Sequence, residues 1–182
     1  MRNRLLWVLP AALLLGLAAW QGIALASSAQ LVWPGDGGGA VTLRETIAEH
    51  DYSFGGMALC VAKGDSVTVS EVSPVNAKGL TVTAFAIREH VGNDYFGNAS
   101  QPLTEVGFDP ASVKASAQCA DQRLVELGIQ IRRGQTTGSA ESFLVTYISD
   151  GRERTVMIPF GMTLCEARDA AVPYCSASAP LD

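Results

Sequence analysis

Apolar and polar positions alternate with a period of two along most of the chain beyond residue 56, which is the mark of extended strands. Arg123 to Arg132 is the cleanest case, with Val125, Leu127, Ile129 and Ile131 on one face and Glu126, Gly128, Gln130 and Arg132 on the other. A strand so patterned is expected to line a core on one side and meet water on the other. Leu80 to Arg88 differs, because Leu80, Val82, Ala84 and Ala86 oppose Thr81, Thr83, Phe85 and Ile87. With both faces largely apolar, it is expected at the centre of a sheet. Ser66 to Val72 is a further run rich in β-branched residues, and Met57 to Ala62 a short apolar one, the two separated by the turn Lys63-Gly64-Asp65. Val41 to His50 fits a strand and a short helical turn equally well.

The strongest local signal is a hairpin. Ser142–Ser149 and Arg152–Phe160 flank Asp150-Gly151, a pair suited to a two-residue turn because both positions need φ > 0. That loop sets Ser149 opposite Arg152, Tyr147 opposite Arg154, Val145 opposite Val156 and Phe143 opposite Ile158. One face then collects Phe143, Val145, Val156, Ile158 and the Tyr147 ring, and a slip by one would scatter them. Pro159 has no N–H to donate, so the second arm is expected at an edge.

Six or seven short strands, turn signals between them and no amphipathic helix predict an all-β, antiparallel, immunoglobulin-like β-sandwich. In that order the strands at 57–62 and 123–132 run parallel within one sheet, which brings Cys60 and Cys119 to the same end. The buried Trp of antibody-type domains has no counterpart, since the Trp residues are Trp7, Trp20 and Trp33. Glu89 to Gln118 is broken by Gly92, Gly97, Pro102, Gly107 and Pro110 and reads as irregular. The expected organisation is an export segment over 1–26, a flexible linker over 27–40 built on Pro34, Gly35 and Gly37-Gly38-Gly39, the sandwich over 41–165, and an irregular C-terminal arm over 166–182.

The export segment opens with Arg2 and Arg4, carries no charge from Leu5 onward, and closes on Ala24-Leu25-Ala26. This is the pattern of a secretory signal cut after Ala26. The apolar run is also long enough, as a helix, to span roughly 30 Å of hydrocarbon, so an uncleaved helix anchoring the protein in the membrane is the other reading. Either way the remainder is placed outside the cytoplasm.

Composition narrows the function classes. Apolar residues are 48% and charged residues 17% of the 182, which excludes a disordered polymer. A net charge of −5 and a pI near 5.0 argue against nucleic acid as a partner. Cys60, Cys119, Cys165 and Cys175 follow the export segment and show no C-x-x-C spacing, so two disulfides are expected. Of the three possible pairings, the short separation of Cys165 and Cys175 favours a local loop, leaving Cys60 with Cys119.

Catalytic chemistry finds little footing. The histidines are His50, beside Asp51, and His90, four residues before Asp94, and no serine sits in a Gly-x-Ser-x-Gly turn or a Ser-x-x-Lys pair. A hydrolase using His50 or His90 is one alternative. A metal carrier using His50, Asp51 and Met57, or His90 and Asp94, is another. No cofactor motif is present, because the glycines from Gly35 to Gly39 lack the Lys-Ser or Lys-Thr that a phosphate loop needs. Surface recognition remains. Asn93, Tyr95, Phe96 and Asn98 make an aromatic and amide-rich loop suited to a glycan or an envelope protein, unless the two rings fold back to plug the sandwich. The expectation is a binding or structural module rather than an enzyme.

The segments Ala58-Leu59-Cys60, Ser66-Val67-Thr68-Val69, Leu80-Thr81-Val82-Thr83, Ser149-Asp150-Gly151-Arg152-Glu153-Arg154-Thr155 and Pro159-Phe160-Gly161-Met162-Thr163-Leu164-Cys165 together resemble small exported proteins of high-GC Gram-positive bacteria. The resemblance implies the fold and the compartment, and no activity.

Overall fold

The structure, a computed structural model, describes residues 28–35, 37–90, 95–169 and 175. The expected export segment over 1–26, Asn93, Asp94 and the end of the C-terminal arm lie outside the described residues. Apart from three short 3-10 turns, every regular element described is a strand. In chain order these begin with β1 (Gln30–Val32), β2 (Gly39–Leu43), β3 (Asp51–Lys63) and β4 (Val67–Val75). They continue with β5 (Leu80–Glu89), β6 (Asn98–Ala99), β7 (Lys114–Ala115) and β8 (Val125–Arg133), and end with β9 (Gly138–Ala140), β10 (Ser142–Ser149), β11 (Arg152–Ile158) and β12 (Phe160–Leu164).

The strands form three sheets. The first has the order β1-β3-β8-β5, with β6 also paired to β3. The second runs β11-β10-β4-β7 and the third β2-β12-β9. All ladders are antiparallel except that between β2 and β12. One apolar cluster joins the sheets: Met57, Leu59, Leu127 and Ile129 from the first meet Val67, Val69, Phe143 and Val145 from the second, with Met162 and Leu164 from the third. Burying such side chains stabilises by about 1.5–3 kcal/mol each, and the layered arrangement is that of a β-sandwich.

The hairpin has the expected register, from Phe143 opposite Ile158 to Ser149 opposite Arg152. Asp150 and Gly151 take φ of 50° and 70°, as a turn that follows the strand twist requires. β11 is an edge strand as expected, but it ends at Ile158, so Pro159 lies between β11 and β12 and its missing N–H costs neither ladder a bond.

Three strand placements differ from the sequence expectation. β3 and β8 are neighbours that run antiparallel, not parallel, with Leu59 opposite Val125. Cys119 still reaches Cys60, because the chain before β8 turns back alongside β3, where the Val61 N–H donates to the Ala117 carbonyl at 2.8 Å. β8, expected to be half-solvated, is one of the two inner strands of the order and is buried along both faces. β5, expected at the centre, is at the edge, and its second apolar face is covered by residues 103–113 rather than by another sheet. The expected linker also holds structure: Leu31 is buried and sits opposite Val61, and the linker's last residues begin β2.

Both disulfides join the expected partners, Cys60 to Cys119 and Cys165 to Cys175, with Cα–Cα distances of 5.1 and 5.9 Å. Bonds of this kind persist in oxidising, extracytoplasmic surroundings. Among the described residues no helix is long and apolar enough to cross a membrane.

Candidate functional site

The polar face of β8 turns toward an overlay made of residues 95–108. Glu126 is the anchor. Its side chain has no solvent exposure, and its Oε2 accepts from Arg88 Nε at 2.7 Å and Nη2 at 2.6 Å. Its Oε1 accepts from the backbone N–H of Gly56 at 2.7 Å and of Phe96 at 2.9 Å. A buried carboxylate is tolerated only when its lone pairs are used in this way. Here the four donors come from β3, β5 and the overlay, so one side chain ties three segments together.

The rest of that face is used similarly. Gln130 Oε1 accepts from the Leu103 N–H at 3.0 Å, and Gln130 Nε2 donates to Thr83 Oγ1 at 3.1 Å. Ser53 Oγ on β3 donates to the Gln101 carbonyl at 2.6 Å. Gly128 leaves room for Phe108: a Cβ there would lie 2.6 Å from the ring. The Arg88 guanidinium lies 4.3 Å from the centroid of the same ring, a cation–π contact that adds to its ion pair.

This framework divides the four recognition residues. Phe96 is half-buried and meets Phe108 edge-on, ring centroids 5.9 Å apart, so it serves the overlay as a plug. Asn98 lies in β6 opposite Phe54 with its side chain exposed. Tyr95 keeps 41% of its surface in solvent, and its ring stacks on that of His90 with centroids 3.9 Å apart and planes 8° from parallel. Asn93 lies outside the described residues. The backbone next to Tyr95 is the one fixed by Glu126, so the exposed ring stands on a clamped base. Sequence reasoning missed Glu126 and Arg88, although Gly55-Gly56 inside an apolar strand and Gly128 inside a polar face both signal close approach of other groups.

The histidine alternatives acquire a geometry. His50 Nε2 lies 3.1 Å from Ser100 Oγ and 3.2 Å from the Ser100 carbonyl oxygen. Nε2 donates to the carbonyl or accepts from the hydroxyl according to the ring tautomer. The neighbouring Asp51 is engaged by Arg132 at 2.8 Å instead of orienting His50. His90 is stacked on Tyr95. Among the described residues no three His, Cys, Asp or Glu side chains gather as metal ligands, and Met57 is fully buried in the core.

No family model and no curated protein matches the chain. Two solved structures superpose loosely. One is the Vibrio cholerae VesB protease, with TM-score 0.34 and 7% identity over 81% of this chain. The chain spans about a third of that protein, 34%. The other is the CooA pilin subunit of enterotoxigenic Escherichia coli, with TM-score 0.29 and 11% identity, covering 76% of this chain and 98% of the pilin. At these TM-scores neither likeness bears on function.

Proposed function

We propose that the protein is an immunoglobulin-like β-sandwich module of the bacterial cell envelope, exported by its N-terminal segment and either released or held to the membrane by it. Its role in this reading is recognition, with the Tyr95 loop as the contact surface and an envelope glycan as the ligand class. The observation that carries it is the exposed Tyr95 ring, stacked on His90 and seated on backbone held by the buried Glu126. A ring already ordered loses little conformational freedom on binding, and a flat aromatic face suits the C–H face of a sugar. The two disulfides, which leave no free cysteine, support the extracytoplasmic setting.

The test uses insoluble cell-wall glycan as the probe and the exported protein as the analyte. Removal of the Tyr95 ring by Tyr95→Ala is expected to weaken retention by about tenfold, the scale of one lost aromatic anchor. Asn98→Ala, at the loop's far end, is expected to weaken it less. Equal retention of the wild type and the Tyr95→Ala variant overturns the reading.

A further inference from the structure

The main sheets do not close completely where β4 and β5 face each other. In the upper part of this seam the chain supplies its own filler. The Ile87 N–H of β5 donates to the Ser112 carbonyl at 2.6 Å, and the Val69 N–H of β4 donates to the Val113 carbonyl at 2.8 Å. Residues 112–115 thus act as an extended segment bonded to both edges, and Lys114–Ala115 complete it as β7 against Val67–Thr68. Pro110 marks where this segment leaves the seam. Below it lies an open groove of about 530 Å³, lined by Glu71–Pro74 on one wall and Leu80–Phe85 on the other.

The two walls are not equivalent. On β5, polar groups alternate between the two sides of the strand. Ile87 points its N–H at the filler, so Phe85, two residues away on the same ladder, points its N–H and C=O into the open part. Among the described residues nothing pairs with that edge between Leu80 and Phe85. The stretch from Leu80 to Ile87 contains no charge and no proline, the usual devices that blunt an edge. On β4, the Val75 carbonyl accepts from Glu141 on the opposite side, so Pro74 turns its missing N–H toward the groove. Its wall is blunted and that of β5 is not. The floor is apolar: a register shift between Val82 and Ala84 brings Val82 and Phe85, which strict alternation would place on opposite faces, to the same face, where both are half-buried against the main core.

We propose that this groove binds an extended peptide segment of a partner protein, added as a strand along β5 below the filler. The six positions from Leu80 to Phe85 span roughly 20 Å at about 3.3 Å per residue. The occupant carries apolar side chains at alternate positions to cover Val82 and Phe85. It also carries a Lys or Arg, because Glu71 is the only ionised side chain among the described lining residues.

The probe is a capped seven-residue peptide of alternating Val and Thr with one Thr replaced by Lys, titrated into the protein purified from the exported fraction. Three further peptides carry N-methyl groups on the odd amides, N-methyl groups on the even amides, or Glu in place of Lys. The protein itself is unaltered, so no outcome is confused with misfolding. Saturable binding is expected below 1 mM, with at least one methylated set weakened about tenfold by its lost hydrogen bonds. The Phe85 amide is expected to gain hydrogen-exchange protection, and the Glu peptide to bind more weakly. Absence of binding at that concentration, an unprotected Phe85 amide, or indifference to both methylated sets overturns the proposal. Equal affinity of the Lys and Glu peptides overturns the basic occupant.

Discussion

Glu126 shows how much a single side chain organises. It accepts from Arg88 and from the backbone of Gly56 and Phe96, all from inside the protein. Glu126→Ala leaves two N–H groups and a guanidinium without their acceptor, and is expected to destabilise by about 3 kcal/mol. That is the lower end for a buried pair, because the Arg88 side chain is 31% exposed and can turn to water. Denaturant unfolding followed at equilibrium checks it, and Glu126→Gln, which keeps an acceptor oxygen, is expected to lose less. This residue was illegible in the sequence for a definite reason. A Glu alternating with Gly, Gln and Arg opposite four aliphatic residues has the pattern of a solvated face. What reverses it is a covering segment whose anchors, Phe96 and Leu103, are distant along the chain and carry no local periodicity.

At the scale of elements, local patterns fared best where one turn fixes everything around it. The β10–β11 register follows from the two residues Asp150-Gly151 and the side chains that must share a face. Gly151 adopts φ of 70°, so Gly151→Ala is expected to cost about 1 kcal/mol through backbone strain. Thermal unfolding measures that loss, and the same exchange at Gly37, which has open space and no such φ, is expected to leave the midpoint unchanged. Strand order was legible only in part. Both faces of Leu80 to Ile87 are apolar, yet β5 is at an edge, because 103–113 covers one face as a neighbouring sheet would. Alternation reports how many faces are covered, not by what. The exposed Tyr95 and the plugging Phe96 are adjacent in sequence, and only the overlay's path separates their roles.

For the whole molecule, the two disulfides constrain very different lengths of chain. The Cys60–Cys119 bond has a sequence separation of 59 and the Cys165–Cys175 bond one of 10. Loop-closure entropy assigns about 4 kcal/mol to the first and about 3 kcal/mol to the second. Paired Cys→Ser replacement of Cys60 and Cys119 is therefore expected to lower the denaturant midpoint more than replacement of Cys165 and Cys175, with intact mass confirming the remaining bond. The even number of cysteines made two bonds legible, and the short separation of Cys165 and Cys175 made their pairing so; the antiparallel approach of β3 and β8 was not, because both strand directions bring Cys60 and Cys119 to one end.

The one parallel ladder among the described residues, Gly39 beside Phe160 through Leu43 beside Leu164, joins an early strand to the last one described. Neither can complete its hydrogen bonds until nearly all of the intervening chain has been synthesised. Native closure is consequently a late event in synthesis, since β2 must wait for a partner strand made long after it.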